Sequence, residues 1–237
     1  MVDLRGDRQP VFQVPKVVSV LAVFLAVIHI GRILLPADWS YGAILLFGLV
    51  PGRYLPQFAW EIYDFPGGLL FAAAPFLTHA LLHANFPHLL INGAFLLAFG
   101  SAVARQCGAA RFLLLSVCCA VGGAVFHLFF AQGSGVPMIG ASGAVSGLMA
   151  AAFRLGALAG PAWQTLNVSI IVPLNDRRLL IVCAVWLGLN AVIGLFVGQI
   201  GGQTIQIAWQ AHIGGFLTGL LMVPLFARRR GWPGEWR

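Results

Sequence analysis

The chain has 237 residues, 59% of them hydrophobic and only 9% charged. A soluble domain carries roughly 25% charged residues, so this composition, with a mean hydropathy of +0.89, excludes a water-soluble globule and identifies a polytopic membrane protein of one domain. The net charge of +7 is scattered among loops instead of forming a basic face, which excludes a nucleic-acid partner and fits a role in membrane orientation.

The N-terminal segment, residues 1–16, is polar and enters an apolar stretch at 17–35 without a small-residue cleavage site. That pattern predicts a retained first span, not a cleaved signal peptide. His29 and Arg32 fall near the end of this span and are expected at the interface. Residues 36–78 form a long connection broken by Pro36, Pro51, Pro56, Pro66 and Pro75. Trp39, Tyr41, Trp60 and Tyr63 lie within it, and aromatic residues at this density favour the headgroup zone. The expectation is an interfacial first loop, partly sunk in the outer leaflet, with the apolar patch 43–50 too short to span.

Further spans are predicted at 87–103, 112–131, 142 to about 160, 179–197 and 208–226, because a crossing needs roughly 20 apolar residues. Pro87 can open the second, since a first-turn proline loses no hydrogen bond. The membrane domain is thus 17–226, a bundle of six helices, and 227–237 is a basic tail. Six crossings gather twelve basic residues on one side, including Arg105, Arg111, Arg154, Arg177 and Arg178, and leave Arg32 and Arg53 on the other. That bias places both termini in the cytoplasm. Arginine outnumbers lysine thirteen to one in a chain rich in Ala and Gly, a composition suggestive of a bacterial cytoplasmic membrane. The four cysteines, Cys107, Cys118, Cys119 and Cys183, show no C-x-x-C spacing and read as buried thiols.

The stretch with chemical content is Gly140-Ala141-Ser142-Gly143. A glycine-rich polar run from 132 meets an alanine-rich helix here, so Ser142 sits at or next to a helix N-cap, which by itself needs no chemistry. Depth argues for more. Arg154 is twelve residues on, or roughly 18 Å along a helix, against a hydrocarbon core roughly 30 Å thick. Ser142 is then inside the membrane at the foot of a re-entrant loop, which survives only around a cavity or within protein. His212 lies sixteen residues before Arg228, roughly 24 Å on a straight helix, in the same half of the membrane. Ionisable side chains there usually face the bundle interior, although a backbone carbonyl can also satisfy a lone histidine. Gly215 and Gly219 share its face in a G-x-x-x-G that lets another backbone approach closely.

Upstream stand His79, His83, His88 and Asn92. Histidines four apart can bind zinc, but no carboxylate is near and no H-E-x-x-H occurs. The other reading has His88 and Asn92 presenting neutral N–H donors to a developing oxyanion. Every Asp and Glu lies in a loop or tail, so a serine hydrolase built here runs on a Ser–His dyad without a third acid.

Taken together, these motifs resemble the rhomboid family of intramembrane serine proteases over residues 78–219. The resemblance implies Ser142 as nucleophile and His212 as general base. It implies an oxyanion site from His88, Asn92 and the Ser142 backbone N–H. Supporting roles fall to His83, His79, Gly140, Gly143, Gly215 and Gly219, with no metal and no cofactor. The implied reaction cleaves single-pass transmembrane proteins through an acyl-enzyme, favouring small residues at the cut and helix-weakening residues nearby. Two positions depart from the family pattern. Ala74 and Pro75 stand where a Trp-Arg pair is common, and Ser146 stands where an aromatic often stacks on the histidine, leaving His212 to be oriented by another ring or by packing. The competing readings are a catalytically silent relative that binds transmembrane helices, and a transporter with a histidine relay. The latter is disfavoured by the lack of internal repeats.

Overall fold

The computed structural model describes residues 14–54, 69–157, 171–196 and 207–227. Expectations for most of the N-terminal segment, for Trp60 and Tyr63, and for the basic residues from 228 onward lie outside these. The described residues are helical apart from one antiparallel pairing, Leu49 with Met138. In order they form α1 (Lys16–Ile33), α2 (Ala37–Phe47), a tight turn at Pro51–Tyr54, α3 (Leu69–Ala73) and α4 (Pro75–Thr78). Then come α5 (Phe86–Phe95), a wider turn at Leu96–Gly100, α6 (Ser101–Cys107), α7 (Ala109–Phe130), α8 (Ser142–Arg154), α9 (Arg177–Phe196) and α10 (Trp209–Phe226).

Among the described residues, five stretches are long and apolar enough to cross a membrane: α1, the continuous Phe86–Cys107, α7, Arg177–Gly194 of α9, and α10. Their outward faces are apolar too. Val20, Val23 and Val27 on α1 and Ile181, Val185, Leu189 and Val192 on α9 are exposed, as lipid-facing helices require. The chain is an integral, multi-pass helical bundle.

α8 is different. Its thirteen residues extend only roughly 20 Å, and it is enclosed between α7 and α10, its heaviest neighbours. Val145, Leu148, Met149 and Ala150 to Ala152 are all buried. A helix buried all round must be apolar all round, and one wedged between two others must also be thin, hence its Ala and Gly content. The fit to α10 is backbone on backbone. A Cβ on Gly215 would overlap the Gly143 carbonyl, and one on Gly219 would overlap the Gly147 carbonyl. The G-x-x-x-G is therefore the seam between α8 and α10.

The lower end of that seam carries a polar clasp. Pro224 lies inside α10 and has no N–H, so the Leu220 carbonyl four residues back loses its helical donor. Arg154, the last residue of α8, donates Nη1 to that carbonyl. It also returns its own carbonyl to the N–H of Val172 at 2.8 Å.

The structure adds to two expectations. His29 and Arg32 near the end of α1 are buried against neighbouring elements. Arg32 donates to Ser40 Oγ at 2.7 Å and to the His83 carbonyl at 2.9 Å. A guanidinium with five donors in apolar surroundings must find such acceptors. The first loop also contains α2, which the density of prolines concealed; Pro36 precedes this helix and breaks nothing. The stretch after α2 holds the loop that leads into α8. Leu49 and Met138 exchange both backbone hydrogen bonds, at 3.0 and 2.8 Å, and Gly52 N–H donates to the Ser134 carbonyl at 2.9 Å.

Candidate active site

Gly140 sets the geometry. Its φ of +126° is backbone that a side chain resists, and its N–H donates to the His79 carbonyl at 2.9 Å. A Cβ here would lie 2.7 Å from His88 Cε1 and 2.8 Å from Nε2. Glycine is thus required twice, once for the turn and once to admit the His88 ring beside Ser142. Ala141 is the cap of α8 and Ser142 its first residue.

Ser142 Oγ lies 2.9 Å from His212 Nε2. The other ring nitrogen, Nδ1, lies 2.9 Å from Asn190 Oδ1 on α9. Among the described residues, His212 is therefore held by the Asn190 amide, with no backbone carbonyl or aromatic ring in that place. Ser146 is buried one turn below Ser142 and lines the same cavity. Asn190 escaped the sequence reading, yet its signal was present: one amide in the middle of an apolar span, where polar groups seldom occur without a partner.

His88 and Asn92 face that cavity from α5. The Ala84 N–H donates to His88 Nδ1 at 3.4 Å, so in the neutral ring the proton is on Nε2, the atom beside Gly140. Asn92 Nδ2 donates one hydrogen to the His88 carbonyl at 2.8 Å and has a second to offer. Asn85 caps the helix, its Oδ1 accepting the His88 N–H at 2.9 Å. His83 is fully buried, its ring edge-on to His88 at 5.2 Å. His79 donates Nδ1–H to the Pro75 carbonyl at 2.8 Å. Pro75, where the Trp-Arg pair is missing, therefore still anchors the loop through its carbonyl. Among the described residues no three His, Cys, Asp or Glu side chains converge as a metal site.

The cavity is about 510 Å³, walled by Ile91, Phe95, Ile139, Val145 and Trp186 around the polar groups. That is the size and lining of a binding site, which typically spans about 300–1,000 Å³. A hydroxyl within hydrogen-bond reach of an imidazole, beside N–H donors in an apolar cavity, is an arrangement that can carry nucleophilic acyl transfer.

Comparison with known proteins agrees with the fold. The family model described as "Rhomboid domain" matches residues 71–229. The chain is 30% identical over 144 residues to "Rhomboid protease GluP" of Bacillus subtilis (strain 168), covering 60% of this chain and 24% of that protein. It is 31% identical over 153 residues to "RHOMBOID-like protein 4" of Arabidopsis thaliana, covering 64% and 34%. The chain thus matches about a quarter to a third of the length of these curated relatives.

Proposed function

The chain belongs to the rhomboid family, and from that premise we propose that it is an intramembrane serine endopeptidase. Ser142 is the nucleophile and His212 the general base. The observation that carries this reading is the 2.9 Å approach of Ser142 Oγ to His212 Nε2 inside a cavity that also presents His88 and Asn92. Gly143, Gly215 and Gly219 hold the two helices close enough for that approach, and His79 and His83 support the loop and the His88 ring.

In the proposed reaction Ser142 Oγ attacks a substrate carbonyl carbon as its proton passes to Nε2. The negative charge that develops on the carbonyl oxygen is met by His88 Nε2–H, the free Asn92 N–H and the Ser142 backbone N–H. Neutral donors suit the location, since an uncompensated charge within the bilayer is expensive. The imidazolium then protonates the leaving amine, and water hydrolyses the acyl-enzyme. A membrane-spanning substrate helix hides its carbonyls in its own hydrogen bonds, so it must unwind to react. This favours substrates with helix-weakening residues. The twelve-to-two distribution of basic residues supports six crossings with cytoplasmic termini, in what we take to be a bacterial cytoplasmic membrane.

The test is cleavage of a fluorescent single-pass transmembrane substrate in proteoliposomes, with fluorophosphonate labelling alongside. The parent should cleave and be labelled. Ser142→Ala should do neither, and His212→Ala should fall to background cleavage. A folded parent that neither cleaves nor is labelled refutes the protease and leaves a helix-binding, catalytically silent protein as the reading.

A further inference from the structure

Asn190 is 1% exposed and projects inward from α9, whose exposed Ile181, Val185, Leu189 and Val192 are apolar. Its amide orientation is determined by chemistry. Nδ2 lies 2.9 Å from the Trp186 carbonyl one turn earlier. A carbonyl only accepts, so the atom facing it must be the NH₂ group. The amide cannot be flipped, and Oδ1 is the atom turned to His212 Nδ1 at 2.9 Å. Oδ1 in turn only accepts, so Nδ1 must carry a hydrogen. In a neutral imidazole the lone pair is then on Nε2, the atom 2.9 Å from Ser142 Oγ. The chain of bonds has one consistent direction: Ser142 O–H to Nε2, Nδ1–H to Asn190, Asn190 N–H to Trp186.

We propose that Asn190 is a positioning residue, whose amide oxygen holds His212 in the tautomer and rotation that aim its Nε2 lone pair at Ser142. The inference rests on the protease reading above. It also answers the departure at Ser146: with no ring one turn below the nucleophile to stack on the imidazole, the ring is held by a hydrogen bond at its far nitrogen. When the Ser142 proton arrives at Nε2, the Oδ1 dipole also lies against the charge that forms on the ring, at no cost in ionised groups.

The experiment uses the full chain in proteoliposomes with the same substrate, reading kcat and KM separately, fluorophosphonate labelling rate and thermal unfolding. Asn190→Leu and Asn190→Ala remove the acceptor, and Asn190→Asp keeps an oxygen at its place. The apolar variants should lose kcat by roughly ten- to a hundredfold, within the roughly 10²–10⁴ that a general base contributes, with KM changed by less than about twofold. Labelling should slow in parallel, and Asn190→Asp should recover most of the loss. Its carboxylate favours the imidazolium, so the acidic limb of its kcat/KM profile should move to higher pH. Among the described residues, His88 from α5 and His127 from α7 are the titratable groups nearby that bear on His212, and both are the same in parent and variant. Parental kcat in a folded apolar variant overturns the proposal. So does an Asp variant as slow as Leu, which would mark a packing role. If the apolar variants fail to fold, an unmoved acidic limb in Asn190→Asp overturns it equally. A parent that neither cleaves nor is labelled refutes the protease itself, whereas an active parent with indifferent variants refutes only the role of Asn190.

Discussion

Gly215→Ala separates the architecture of the site from its chemistry. One added methyl would overlap the Gly143 carbonyl oxygen and lie 2.6 Å from its carbon and 3.0 Å from Gly143 Cα. All three are backbone atoms of α8, so no side chain can swing away. Restoring ordinary contact requires the helices to part by roughly 1 Å, and overpacking of this kind costs about 1–3 kcal/mol. Ser142 and His212 sit on the two sides of the seam at 2.9 Å. Parting by roughly 1 Å takes them past hydrogen-bond range, and a misplacement of that size can cost roughly a hundredfold in rate. The variant should therefore stay folded, melt at a lower temperature and cleave the fluorescent transmembrane substrate roughly a hundredfold more slowly. Gly31→Ala is the control, because a Cβ at Gly31 meets nothing within 4 Å; it should match the parent in both measurements. Parental cleavage and melting in Gly215→Ala would refute the claim that the seam sets the Ser142–His212 distance.

Two further outcomes follow from hydrogen bonds at the ends of helices. Arg154→Met leaves the Leu220 carbonyl without its donor and should lower unfolding stability by about 1.5–3 kcal/mol. Adding Pro224→Ala returns a backbone N–H to that carbonyl, so a double-mutant cycle in detergent should show the two positions coupled, and additive effects would refute the clasp. Asn85→Ala removes the cap on the His88 N–H and should cost about 1 kcal/mol in thermal unfolding; an unchanged melting temperature would show that the cap is dispensable.

The long spans were legible because lipid makes one demand on sequence, and 112–131 and 208–226 foresee α7 and α10 to within a few residues. The pairing of Ser142 with His212 was foreseeable only as a possibility, from shared depth and the glycines on one face. What closes the distance is the contact of Gly215 with the Gly143 carbonyl, a property of two helices at once. α2 was missed because prolines were read as breaks, when Pro36 lies one residue outside the helix it precedes. Arg154 was read as a marker of the interface, yet its guanidinium serves a carbonyl on a helix sixty-six residues away. Nothing local to Arg154 points to Pro224.

Asn190 shows why the search for an acid looked in the wrong chemical class. In water-facing hydrolases a carboxylate can orient the histidine, because the surrounding dipoles and solvent make its charge affordable. Inside a bundle in lipid, an ionised carboxylate carries a desolvation penalty of several kcal/mol that pairing with an imidazolium only partly offsets. An amide oxygen accepts the same Nδ1–H without that penalty, and its NH₂ group can be tied off on a carbonyl of its own helix, as Trp186 does here. The polar residue to seek beside a membrane-embedded histidine is therefore a neutral one with both ends engaged. In this chain α9 holds that amide, in Asn190.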